Sequence, residues 1–116
     1  MAALSLTSNS VAWITLLAAG ALEIVWAFFM KQSDGFTRPW PSVITLIAMV
    51  GSVVLLALAM RSIPLGTAYA IWTGIGALGA FVVGIVVLGE PASAMRIAAA
   101  VLILSGLVLM KLSTSA

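Results

Sequence analysis

The sequence predicts an all-α membrane protein with four transmembrane helices per chain. Three observations carry that expectation. Of its 116 residues 64% are apolar and only 7% charged, with a mean hydropathy of +1.30, whereas soluble domains run at about 45–50% apolar and about 25% charged. The apolar residues fall in four runs, each close to the roughly 20 residues that cross a bilayer core. The breaks between the runs are polar or rich in helix breakers. A β-barrel does not fit, because the runs lack period-two alternation and far exceed the roughly 9–11 residues of a barrel strand.

The first span is expected over residues 11–30, from Val11 to Met30, interrupted only by Glu23. It has no basic segment before it, is too long for the apolar part of a signal peptide and carries a carboxylate, so it reads as a retained span. A turn follows at Lys31-Gln32-Ser33-Asp34-Gly35-Phe36-Thr37-Arg38-Pro39. Span two is expected over 41–60, opening on Pro41, a residue suited to a helix's first turn. Arg61-Ser62-Ile63-Pro64-Leu65-Gly66 breaks the chain before span three, over 67–88, and Gly89-Glu90-Pro91 before span four, over 94–112. Four spans use about 80 residues. The remainder is short connections, a polar N-terminal tail over 1–10 and a C-terminal tail over 113–116, with no room for an extramembrane domain.

Charge gives little orientation. With alternating spans, Lys31, Arg38 and Arg96 lie on one side of the membrane and Arg61 and Lys111 on the other. Three against two is almost no bias under the positive-inside rule. Two readings fit: a weakly biased but fixed topology, or insertion in both orientations, with the two pairing as an antiparallel homodimer.

The chain has no Cys and no His, and its only acids are Glu23, Asp34 and Glu90. That removes disulfides, thiol nucleophiles, imidazole bases and Cys/His zinc sites. An enzyme is not expected, nor a metal or cofactor. The pI of about 9.7 comes from five scattered basic residues and not from a nucleic-acid-binding patch.

Glu23 is the residue to explain. A carboxylate near mid-span costs several kcal/mol and faces a bundle interior, a cavity or a proton path. Low dielectric favours its protonated form and a neighbouring cation its ionised form, so it can exchange a proton for a cationic ligand. The plainer alternative is a protonated Glu hydrogen-bonded to a neighbouring helix. Ala19, Gly20, Trp26 and Ala27 lie one turn away on nearly the same face. Trp26 offers a π face for a cation, or else packs against protein or lipid, as Trp13 and Trp40 near the span ends are expected to do at the interface. In span three, Tyr69 and Trp72 share a face, and a buried Tyr hydroxyl needs a partner, for which Glu23 is a candidate. An aromatic belt is the alternative. Gly74, Gly76, Gly79 and Gly84 suit close packing or a kink. Ser52, with Thr45 seven residues earlier on the same face, either joins the site or bonds its own backbone. Ala98-Ala99-Ala100 and Ser105-Gly106 read as packing surface, and Glu90 as a solvated turn residue.

From Trp13 to Leu112 the chain resembles the small multidrug resistance family of four-helix transporters. The resemblance rests on Glu23, on Gly35-Phe36-Thr37-Arg38 with Pro41-Ser42, and on Gly66-Thr67-Ala68-Tyr69-Ala70-Ile71-Trp72. Trp26, the run Trp72-Thr73-Gly74-Ile75-Gly76-Ala77-Leu78-Gly79-Ala80 and Glu90-Pro91 are similar to its guanidinium-exporter subtype. Ala2 to Ser10 departs from the pattern as an extension. The resemblance implies an antiparallel homodimer in a bacterial inner membrane, exchanging protons for guanidinium-type cations by alternating access. It implies Glu23 as the shared proton and substrate carboxylate, Ser52 and Trp26 as its orienting network, and Tyr69 and Trp72 as lining. The competing expectations are a quaternary-ammonium exporter of the same family, one half of a heterodimer, or a non-transporting membrane subunit whose Glu23 pairs with a partner helix.

Overall fold

The computed structural model describes the backbone of residues 2–113 and the side chains of residues 9–113. It consists of four helices: α1 (Ala2–Gln32), α2 (Pro39–Ala59), α3 (Leu65–Val86) and α4 (Ala94–Ser113). Each is long and apolar enough to cross a membrane, α1 through its segment Asn9–Gln32. The chain is therefore a multi-pass membrane protein.

The boundaries follow local chemistry. Helix α1 starts at Ala2, so the stretch 2–10 read as a polar tail is helical in backbone; nothing there breaks a helix, since the first Gly is Gly20 and the first Pro is Pro39. Ser113 is the last residue of α4, and the rest of the expected C-terminal tail lies outside the described residues. Helix α2 begins at Pro39 and not at Pro41, because Arg38 is held extended before Pro39 at the N-cap position and Pro39 suits the first helical residue. Between α1 and α2 the chain reverses through Asp34, Gly35 and Phe36, all at positive φ. The buried Ser33 anchors that turn: its hydroxyl donates to the Met30 carbonyl at 2.6 Å and accepts from the Phe36 N–H at 3.0 Å.

Helix α1 is central, packing along both α2 and α3, while α4 lies along α3. Between apolar helices in lipid there is no hydrophobic drive to associate, so contact rests on close van der Waals packing and interhelical hydrogen bonds. The α1–α3 seam shows the first of these. A Cβ at Gly20 would stand 2.7 Å from Ile75 Cγ2, one at Gly79 would stand 3.2 Å from Ile24 Cγ2, and one at Gly76 would stand 2.8 Å from Glu23 Cγ. Three knobs thus sit on three bare stretches of backbone. On the other side of α3, Leu107 of α4 occupies the space over Gly74, where a Cβ would lie 2.9 Å from its Cδ1.

Helix α4 has no buried residue. Of the stretches expected as its packing surface, Ala98, Ala99, Ser105 and Gly106 are exposed and Ala100 is partly covered. Trp40 is largely exposed, in keeping with an interfacial ring, but Trp13 is not a lipid-facing anchor: it lies in the core, with Lys111 Nζ 4.5 Å above its ring. The cation from α4 gives the end-of-span tryptophan a protein partner in place of the headgroup region.

Candidate functional site

Glu23 lies near the middle of the α1 span, pointed at α3. Its side chain rests against Gly76, where any Cβ would collide with the carboxylate. The carboxylate is partly buried, and its Oε1 is fully covered with no hydrogen-bond partner. One turn on, the Trp26 indole N–H is in the same condition. An acceptor and a donor are thus both buried and unpaired within one turn of one helix. Such groups cost about 1–3 kcal/mol each when left so, and they mark positions where a folded protein expects a further partner.

The sequence placed Ser52, Tyr69 and Trp72 around Glu23; their arrangement is more specific. Ser52 is fully buried on α2, on one face with Thr45, Ala48, Leu56 and Ala59. Its hydroxyl donates to the Ala19 carbonyl of α1 at 2.6 Å and accepts from Trp72 Nε1–H of α3 at 2.9 Å. One hydroxyl therefore pins three helices, and it bonds neither its own backbone nor Glu23. Ala19 is the residue one turn before Glu23, so Ser52 acts on the backbone that carries the acid. Tyr69 lies on the same face as Trp72, rings 5.6 Å apart and tilted by 48°. It is 53% exposed, so its hydroxyl is not a buried group obliged to find Glu23. Trp26 packs beside the core cluster that contains Trp72.

The glycines of α3 take distinct places: Gly74 receives Leu107, Gly76 receives Glu23 and Gly79 receives Ile24. Toward the α1–α2 turn, a cavity of about 190 Å³ opens between α1 and α3, lined in part by Ile24, Ala27, Phe28, Ala80 and Glu90. The Glu90 carboxylate is folded back over Gly84, with its Cδ at 2.9 Å from a Cβ position there, and its backbone N–H donates to the Gly84 carbonyl at 2.9 Å. Lys31, Asp34, Arg38 and Glu90 line one surface cleft, which puts the first and third turns at the same end of the bundle.

Two features lay beyond sequence reasoning. The Ala19 carbonyl is a backbone group, and residue type gives no sign that it receives the Ser52 hydroxyl. The seating of Glu23 on Gly76 depends on the register of α1 against α3, which periodicity within either helix does not encode.

The arrangement sets an acid in an apolar span, with the unpaired Trp26 indole one turn away on the same helix. The family described as Small Multidrug Resistance protein matches residues 11–103. A guanidinium exporter of Yersinia pseudotuberculosis is 57% identical over 103 residues, covering 89% of this chain and 99% of the relative. One from Escherichia coli K12 is 58% identical over 102 residues, covering 88% and 97%, and one from Citrobacter freundii is 55% identical over 102 residues. These relatives are transporters by name and not enzymes. With the acid, the four spans and the matched segment in agreement, the chain belongs to the small multidrug resistance family.

Proposed function

We propose that this chain is a proton-coupled exporter of guanidinium and small singly substituted guanidinyl compounds. It works by alternating access as an antiparallel, dual-topology homodimer in a bacterial inner membrane. The observation that carries the reading is the buried, unpartnered Glu23 Oε1 at mid-span, together with similarity across nearly the whole chain to proteins named as guanidinium exporters.

Guanidinium is planar, permanently charged and presents N–H donors that match a carboxylate fork. Glu23 is the shared site: protonated, it releases cargo; ionised, it takes the cation, and occupancy by one excludes the other. The aromatic rings of Trp26, Tyr69 and Trp72 suit the flat face of the cation. Guanidinium has no acceptor, so the Trp26 N–H is left for a carboxylate oxygen, which an inverted second copy brings within one shared cavity. The uncovered α4, with Gly106 open to close approach, supports such pairing. In this assembly Gly74, Gly76 and Gly79 let the helices shift while staying closely packed.

The test is purified protein in liposomes loaded with a pH-sensitive dye. Guanidinium and methylguanidinium gradients drive proton movement, and tetrapropylammonium does not. Proton movement driven by tetrapropylammonium but not by guanidinium overturns the reading in favour of a quaternary-ammonium exporter. Movement with neither cation favours a non-transporting subunit.

A further inference from the structure

We infer that Gly76 of α3 is a positioning residue for the Glu23 carboxylate: its bare backbone is the seat that fixes how far the acid, carried by α1, stands off α3 in the cargo site. The inference rests on Glu23 being that site, and goes beyond it by assigning the geometry of the acid to a residue on another helix.

Three observations carry it. All three nearest atoms to a Cβ at Gly76 belong to the Glu23 side chain, from Cγ at 2.8 Å out to the carboxylate. They include Oε1, which is fully covered and makes no hydrogen bond within the chain, so inside one protomer it is steric contact with the Gly76 backbone that limits where that oxygen lies. On either side along the same seam, Gly20 is filled by Ile75 and Gly79 by Ile24, so α3 cannot back away to make room for a methyl without unseating two apolar knobs. A methyl at residue 76 therefore displaces the acid, while one at Gly79 displaces an apolar side chain one residue along. The contact also makes the acid sensitive to its neighbour: a shift of α3 against α1 moves the wall on which the carboxylate rests.

A seat predicts compensation. Glu23→Asp withdraws the carboxylate by one methylene, about the space that Gly76→Ala fills. Contacting pairs depart from additivity by about 0.5–3 kcal/mol, roughly two- to 150-fold. Gly76→Ala alone is expected to raise KM for guanidinium about tenfold or more and to move the pH profile of transport. Glu23→Asp alone is also expected to be impaired. The double variant Gly76→Ala/Glu23→Asp should transport at least several-fold better than the product of the two single losses predicts, and recover part of the KM. The control is Gly79→Ala, whose defect Ile24→Val relieves and Glu23→Asp does not.

All variants are measured as purified full-length protein in liposomes, with Glu23→Gln alongside. Gly76→Ala with an unchanged KM and pH profile overturns the inference. So does a double variant no better than the product of the singles, or equal relief of Gly79→Ala by Glu23→Asp. Retained proton-coupled transport in Glu23→Gln would overturn the reading of Glu23 itself, and so is distinguishable from failure of the seat.

Discussion

Trp72 and Ser52 are joined by an N–H···O bond of 2.9 Å between α3 and α2, and the same hydroxyl donates to the Ala19 carbonyl of α1. The tryptophan and the acid are thereby linked through one serine and one backbone carbonyl. The chain of contacts is short enough that a change at Trp72 reaches the turn carrying Glu23.

Ser52→Ala removes both bonds and leaves a buried indole N–H and a carbonyl lone pair unsatisfied. Interhelical bonds of this kind in membranes are worth about 0.6–2 kcal/mol, so the variant should unfold at a lower temperature in detergent than the wild type. Trp72→Phe, which removes one bond, should shift less than Ser52→Ala if the hydrogen bonds dominate. Thermal melts followed by circular dichroism decide this; an unchanged melting temperature for Ser52→Ala shows that the bridge holds nothing.

Proton and cargo compete for one carboxylate in the proposed mechanism. Guanidinium needs the ionised form, so its affinity is full at alkaline pH and is lost as falling pH protonates Glu23. Binding isotherms over a pH series check the sign. Glu23→Gln keeps the shape and removes the charge, and it should neither bind guanidinium nor couple it to protons.

Much of the fold is legible in the sequence, because hydrophobic runs and Pro/Gly breaks are local signals. Each expected span falls within or nearly matches a helix, but α1 begins at Ala2 and not at Val11, and Pro39 displaces Pro41 as the start of α2 because a proline already suits the first helical position. Trp26, Ser52, Tyr69 and Trp72 were legible as residue types, because polar and aromatic side chains stand out within apolar spans. Their partners were not. Ser52 reaches a backbone carbonyl on α1 and an indole on α3, and Trp13 finds its cation at Lys111, at the far end of the chain. Such pairings depend on which helix faces come together, and a single sequence records each face without its mate.

The near balance of Lys31, Arg38 and Arg96 against Arg61 and Lys111 leaves insertion without a strong positive-inside preference. A cysteine introduced by Ser113→Cys, in a chain that has none, should be modified by an impermeant thiol reagent to about half in intact cells, as equal insertion in both senses requires. Labelling of nearly all or nearly none of the protein refutes dual insertion.

Selectivity follows from which groups are left unpaired. A site built to hydrogen-bond its ligand rejects an analogue that lacks the donors. Trp26→Gly removes a wall and a donor beside Glu23, and it should raise tetrapropylammonium transport relative to guanidinium while lowering guanidinium transport itself. Paired liposome assays of wild type and variant measure the ratio; an unchanged ratio rules out Trp26 as a determinant.

The glycines of the α1–α3 seam impose an asymmetry on how this protein can vary. Glycine is the smallest residue, so no codon change at 20, 76 or 79 enlarges the space over the backbone, and every replacement fills it. The opposing residues, Ile75, Glu23 and Ile24, can be trimmed as well as enlarged. Mutational drift at the seam is therefore one-sided: a substitution at a glycine is tolerated only after its partner on the other helix has become smaller, which orders the steps by which one variant can give rise to another.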